Sequence, residues 1–408
     1  MKPLGPIPSG FDTIDGELAI GGRKASDLVA EAGATPAFVY STALLQRRVA
    51  ELRAAMPKRL GLHYAVKANP FPPLLKVMSE LVDGFDIASG GELEIVRKAG
   101  IDPALISFAG PGKRTEELEA ALLAGATINL ESEGEAERTL DAGQRLGIMP
   151  RLAIRVNPDF DLKGSGMKMG GGAKQFGVDA ERVPALVRRI VESGADWRGF
   201  HIFAGSQALD AAAIIETQAQ TLKLAARLAE ESGSVLPRCN LGGGFGIPYF
   251  PGDAPLDIVA IGAALEAEFT GLPESLADTS FCIELGRYLV GEAGVYLTRI
   301  VDRKISHGEV FLIVDGGLHH QLAASGNFGT VIRRNYPVAI ANRFGALVEE
   351  EASVVGCLCT PLDRLADKGG FPHADVGDLV AVFCAGAYGA TASPTAFLGH
   401  GPAMELLV

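Results

Sequence analysis

A lysine inside an apolar run, a glycine triplet, and a carboxylate three residues before an arginine are the parts of this sequence that can do chemistry. In "LHYAVKANP" (62–70) Lys67 interrupts a strand-like run closed by Asn-Pro. An ammonium there is costly to bury unless it gives up its proton. A lysine that does so near neutral pH is a nucleophile toward carbonyl groups and forms Schiff bases. "NLGGGFG" (240–246) brings backbone N–H groups together at Gly243 and Gly244 with no side chains in the way, a cradle suited to a phosphate. "IELGRY" (283–288) sets Glu284, Gly286 and Arg287 in a row, and "FHIFAGSQ" (200–207) offers His201 as a flat ring and Ser206 as a hydroxyl.

Taken singly, each has a structural reading: a solvated lysine, a tight turn, a Glu284–Arg287 ion pair, a core histidine. Taken together they supply what one cofactor needs. Pyridoxal 5'-phosphate uses a lysine anchor, a phosphate site, a carboxylate at its pyridine nitrogen and a group flat against its ring.

The elements that must position these residues are legible. Eight strand-like runs, at 62–68, 84–89, 105–110, 127–132, 151–157, 198–205, 239–245 and 281–287, alternate with amphipathic helical runs such as "TEELEAALLAG" and "EGEAERTLDAGQRLG". That pattern predicts an α/β fold, a (β/α)8 barrel, with functional groups at the C-terminal ends of the strands. Strand alternation places His63, Ala65 and Lys67 on one face, aimed into the barrel mouth. After residue 288 short strands and turns replace the helices, which predicts an all-β domain. The expected division is a barrel over 42–288 and a β domain from 1–41 and 289–408.

Composition narrows the function. The 408 residues are 48% hydrophobic and 21% charged, without an 18-residue uncharged apolar run, so no membrane partner is expected. The start, "MKPLGPIPSGFDTIDGELAIGG", lacks the pattern of a secretory signal, and a cytoplasmic location is expected. A net charge of −12 disfavours nucleic acid. The five cysteines, Cys239, Cys282, Cys357, Cys359 and Cys384, form no paired CxxC spacing, so neither a disulfide framework nor a zinc site is expected. His319 and His320 are adjacent, but with no acidic or Cys ligand at matched spacing a metal is not expected there either.

The segments "YAVKANP", "GFDIASGGELE", "FAGPGK", "RVNPDF", "KQFGVD", "HIFAGSQ", "NLGGGFGIPY", "ELGRYLV", "CTPLDRLA" and "GAYGA" resemble, in order, the motifs of the fold type III pyridoxal phosphate decarboxylases, the ornithine and diaminopimelate decarboxylase family. The resemblance runs from about residue 35 to the end. It implies an alanine racemase-like barrel, Lys67 as the Schiff base lysine with Ala65 and Asp86 beside it, His201 stacked on the ring, Glu284 at the pyridine nitrogen and Arg155 as a supporting residue. It further implies Ser206, Gly243, Gly244, Gly286, Arg287 and Tyr388 around the phosphate or the substrate carboxylate. Cys359 matches a cysteine that the family contributes from a partner subunit to return a proton to substrate, so a head-to-tail homodimer is implied.

The chain departs from the diaminopimelate pattern at two places. Thr360 follows Cys359 where an acidic residue is typical, and the ending "SPTAFLGHGPAMELLV" lacks an arginine-rich segment. It is more similar to a branch acting on bulky or acyl-carrier-protein-linked amino acids, including exosortase-associated relatives. The stretch 316–337, with His319, His320, Arg333, Arg334 and Tyr336, is expected to read the remote part of such a substrate, together with Thr360. The expected reaction is α-decarboxylation of an amino acid, a carbon–carbon lyase activity. Diaminopimelate decarboxylation is the first alternative, and racemisation or non-catalytic cofactor carriage the others. Racemases of this fold pair the pyridine nitrogen with arginine, so Glu284 favours decarboxylation.

Overall fold

Eight parallel strands close on themselves in the computed structural model, which describes residues 1–162, 166–326 and 334–408. They are β1 (Gly61–Ala65), β2 (Gly84–Ile87), β3 (Ile106–Phe108), β4 (Thr127–Leu130), β5 (Arg151–Asn157), β6 (Asp196–Ile202), β7 (Arg238–Asn240) and β8 (Ser280–Leu285). Pairing runs in chain order and closes between β8 and β1, with Glu284 opposite His63 and Leu285 opposite Tyr64. This is the expected (β/α)8 barrel. The predicted strands are all present, but most of them stop two to five residues earlier than the apolar run suggests.

One set of alternating positions is apolar: Leu62, Tyr64, Phe85, Ile87, Ile128, Leu130, Leu152, Ile154, Val156, Phe200 and Ile202 are each at most 3% exposed. Buried side chains of this kind contribute about 1.5–3 kcal/mol each, and the helices between the strands cover them. The other set is polar. Arg155, His201 and Asn240 lie in register on neighbouring strands, as do Ala65 and Asp86. A barrel interior is ordinarily filled by branched apolar layers, so a polar row marks a working site.

Contacts divide the chain into two compact units. Val49–Gly246 and Leu256–Gly286 form the barrel unit; Met1–Arg48, Ile247–Pro255 and Arg287–Val408 form the other. The second unit is built on an eight-stranded mixed sheet in which Gly294–Ser306, the longest strand, pairs with Ala37–Tyr40, Glu309–Val314 and Leu379–Val382. Its core gathers Leu18, Ile20, Leu28, Val39, Val295, Leu297 and Phe383. Among the described residues no helix is long and apolar enough to cross a membrane.

Candidate active site

β1 ends at Ala65, and Lys67 lies on the single 3-10 turn Val66–Ala68 that follows. Its side chain is exposed. This corrects the expectation of a desolvated lysine on an alternating strand face: the chain leaves the strand two residues before Lys67. The turn is fixed locally. Asn69 N donates to Val66 O at 3.0 Å, Tyr64 Oη donates to Asn69 O at 2.8 Å, and Asn69 Oδ1 accepts from Phe71 N at 3.0 Å. Gly286 packs against it; a Cβ there would lie 2.8 Å from the Cβ of Ala68 and 3.1 Å from Ala65 O. Lys67 Nζ stands 5.5 Å over the Phe203 ring.

Glu284, the inward residue at the end of β8, is 6% exposed. Its Oε2 lies 2.9 Å from His201 Nε2 and accepts from Asn240 Nδ2 at 3.1 Å. The His201 approach does not meet hydrogen-bond geometry. Burial opposes ionisation of Glu284, but His201, then Lys67 and Arg155, outweigh it and hold the carboxyl below the ordinary range. Asn240 also accepts from Gly242 N at 2.9 Å, so one amide links this carboxylate to the glycine loop.

That loop is compressed from both sides. Gly242 and Gly244 take φ values of +72° and +88°, which side chains disfavour. A Cβ on Gly243 would lie 1.9 Å from Glu284 O, and one on Gly244 2.5 Å from Gly205 O. Ala208 N donates to Gly244 O at 2.9 Å and Gly246 N to Ala208 O at 2.8 Å, which lays the segment carrying Ser206 along the loop. Ser206 and the glycine cradle are thus brought together. Gly243→Ala is expected to weaken cofactor retention at least about 10-fold and to cost about 1–3 kcal/mol of stability through overpacking. Cofactor content after dialysis and a thermal melt check both.

Further round the barrel, Asp86 Oδ2 faces His63 Nδ1 at 3.1 Å, while its Oδ1 and His201 Nδ1 are buried without a partner among the described residues. Arg155 Nη1 donates to Glu131 Oε1 at 2.9 Å, and its guanidinium lies 4.8 Å over Phe176.

In the β unit, Arg287 Nη1 donates to Tyr249 Oη at 2.7 Å, and the guanidinium stands 4.7 Å over Tyr388. Arg287 Nε is buried without a partner among the described residues, and Tyr388 is held at φ 60°, a backbone state that costs about 1 kcal/mol or more and collects at functional positions. Cys359 is exposed on a tight turn; there Thr360 N donates to Leu358 O at 2.8 Å and Thr360 Oγ1 accepts from Leu362 N at 3.3 Å. Tyr336 is 5% exposed, packed 4.8 Å from Tyr249 and 5.4 Å from Phe250 between ring centroids. His320 is buried with both ring nitrogens engaged, Nδ1 at 3.0 Å from Tyr296 Oη and Nε2 at 2.8 Å from Gly401 O. Arg333 lies outside the described residues.

Comparison with known proteins matches residues 42–291 to the family described as pyridoxal-dependent decarboxylase, pyridoxal binding domain. The chain belongs to the pyridoxal-dependent decarboxylase family. The L-glutamyl-[BtrI acyl-carrier protein] decarboxylase of Niallia circulans is 37% identical over 91% of this chain and 88% of its own. A diaminopimelate decarboxylase of Archaeoglobus fulgidus is 33% identical over 98% and 93%. The crystal structure of the Helicobacter pylori diaminopimelate decarboxylase complexed with L-lysine superposes with a TM-score of 0.82 at 26% identity, covering 94% of each chain. The protein is therefore a pyridoxal phosphate-dependent amino acid decarboxylase, a carbon–carbon lyase.

The residues present in this decarboxylase fit that cofactor. Within the barrel unit, an exposed lysine at a strand end, a side-chain-free loop, an ionised buried carboxylate and atoms of Asp86 and His201 without a partner among the described residues are groups of the kind that a charged, phosphorylated aromatic ring needs. Several supporting residues escape sequence reasoning. Asn240 and Tyr249 stand inside quoted motifs, but only the fold shows that they orient Glu284 and Arg287. Glu131 takes Arg155 on one oxygen and Gly177 N on the other, at 2.9 and 3.0 Å. A carboxylate in a strand-to-helix loop, 24 residues from its arginine, carries no local signal.

The Glu284 contact has a pH consequence. A depressed carboxyl contributes stability that is fully present above its unfolded pKa, roughly 4.3, and lost as pH falls through the folded value. Glu284→Gln is expected to lower stability by about 3 kcal/mol near neutral pH, leaving His201 without its anion. The melting-temperature gap between this variant and the parent should narrow below about pH 4 and close as pH falls to about 2.

Proposed function

We propose that this enzyme removes the α-carboxylate of an amino acid carried on an acyl carrier protein, a glutamyl or similarly extended aminoacyl group. The observation that carries this reading is the turn after Cys359. Thr360 stands there without charge, its hydroxyl occupied by Leu362 N, and the nearby Asp363 places its two oxygens on Leu318 N and Leu358 N at 2.7 and 2.9 Å. No carboxylate of that turn is left for the distal ammonium of a free diamino acid. The relative that acts on L-glutamyl-[BtrI acyl-carrier protein] supports the same assignment.

Bound pyridoxal phosphate supplies an electron sink conjugated to the substrate's α-carbon. Lys67 anchors it, and Ala65, on the adjoining strand end, leaves room beside it. Ser206, Gly243, Gly244 and the Gly286–Arg287 segment receive the phosphate, with Tyr388 beside Arg287. His201 lies against the ring. Glu284, kept anionic by its cationic neighbours, holds a proton at the ring nitrogen, while Asp86 and Arg155 support the layer around it. Arg287, Arg333, His320, Thr360, Tyr336 and Tyr388 form the substrate side; His320 and Tyr336, both buried, act by shaping the loops that carry the others. Cys359 of the partner subunit would supply the proton that takes the place of the departing carboxylate on the α-carbon. The working form is accordingly a head-to-tail homodimer, for which the exposure of Cys359 on its own chain is the supporting observation.

Diaminopimelate decarboxylation is the second reading, favoured by the full-length similarity to enzymes of that name. Carbon dioxide release from the purified holoenzyme, with carrier-bound glutamyl groups against free diaminopimelate and free glutamate, separates the two. The expected preference in kcat/KM is at least about 100-fold for the carrier-bound group. Faster turnover of free diaminopimelate would reverse the assignment.

A further inference from the structure

We propose that His319, Cys357 and His400 form a metal site in the β unit, selective for a zinc-class divalent ion and independent of the decarboxylase substrate. The three residues come from separate segments, and one ligand atom from each lies within 4.8 Å of the others. The Cys357 sulfur is 3.9 Å from both ring nitrogens of His400, and the His319 and His400 rings are 5.1 Å apart between centroids. His319 is wholly buried, yet among the described residues neither ring nitrogen has a hydrogen-bond partner. A buried imidazole ordinarily engages at least one nitrogen, because an unsatisfied one costs about 1–3 kcal/mol. A metal ion satisfies it.

Sequence spacing argued against this site because no Cys ligand stands near the His pair in the chain. The fold removes that premise, because it brings Cys357 beside His319 and His400. Asp363 does the joining: its Oδ1 accepts from Leu318 N, beside His319, and its Oδ2 from Leu358 N, beside Cys357, at 2.7 and 2.9 Å. Glycines flank both loops, and a Cβ at Gly317 or Gly356 would lie 2.1 or 2.2 Å from that carboxylate. His320 is excluded as a ligand by its own bonds, but its hold on Gly401 O brings the neighbouring His400 in.

Zinc bonds of about 2.0–2.3 Å in a tetrahedron place N and S ligands roughly 3.4–3.6 Å apart. The remaining contraction falls to His400, which is exposed and can turn. Two imidazoles and a thiolate favour zinc over magnesium or calcium, and three protein ligands leave a fourth position open. Cys357 releases its thiol proton to solvent on binding. Since Cys359 is two residues away, the ion also rigidifies the turn that presents Cys359 and Thr360.

Metal analysis of the holoenzyme dialysed against dilute zinc, with cobalt(II) substitution read in the near ultraviolet, tests the site. One ion per chain and a cobalt–thiolate absorption are expected. Cys357→Ser and His400→Ala should each weaken binding at least about 10–100-fold. Both positions are at least partly exposed, and circular dichroism verifies that the variants fold. The proposal falls if zinc is not retained by the parent protein, if both variants bind as it does, or if the absorption survives in Cys357→Ser and is lost in Cys359→Ser.

Discussion

Lys67→Ala is expected to eliminate the visible absorbance of bound cofactor that survives dialysis and to lower carbon dioxide release by on the order of 10⁴-fold or more. The size of the effect follows from what Lys67 does not do. It is exposed, on a turn whose hydrogen bonds are made by Asn69, Tyr64 and Phe71, and Glu284 keeps His201 and Arg155 when it is removed. Surface substitutions of that kind change stability by about 0.5 kcal/mol or less. An inactive variant that melts where the cofactor-free parent melts therefore identifies a chemical role, whereas normal turnover would remove Lys67 from the site. The neighbouring cation Lys113 supplies the contrast. It is 4% exposed, with Nζ donating to Gly110 O and Asn129 O at 2.6 and 3.0 Å and lying 2.6 Å from Glu135. Lys113→Ala leaves Glu135 as a buried unpaired charge, a loss of about 3–5 kcal/mol, and should appear first in the melt.

Cys359→Ala is expected to lower kcat by on the order of 10²–10³-fold with little change in KM, the usual scale for removing a positioned proton donor. The cysteine is exposed on a turn of the β unit. Mixing this variant with Lys67→Ala tests the assembly. If each site takes Lys67 from one chain and Cys359 from the other, random re-association makes half the dimers mixed. Each mixed dimer holds one intact site, which restores about one quarter of parental activity. Recovery no greater than the sum of the two variants alone would mean that each chain completes its own site.

Two residues show how far local pattern carries. The sequence argument that a lysine in an apolar run must be paired or reactive is sound physics, but the chain applies its halves to different residues. Lys113, unremarkable in "FAGPGK", is the buried and paired one; Lys67, inside the apolar run, is exposed because the strand stops at Ala65. The same overrun recurs at the other strand ends. Loops after β1, β7 and β8 keep small and apolar residues so that backbone can approach backbone, and that composition reads as continued strand. Gly286 against Ala68 is the clearest case. The β unit is less legible still, since Ala37–Tyr40 joins Gly294–Ser306 across some 250 positions that no local period records.

By itself the sequence determined the barrel, the cofactor and the family, because alternating strand and helix periods and residue types at strand ends are local properties that survive in one dimension. The polar row of Arg155, His201 and Asn240, the hold on Glu284, and the meeting of His319, Cys357 and His400 were decided only by tertiary structure. Each depends on register between strands or on one carboxylate tying distant loops, and contacts of that kind exist only once the chain has closed.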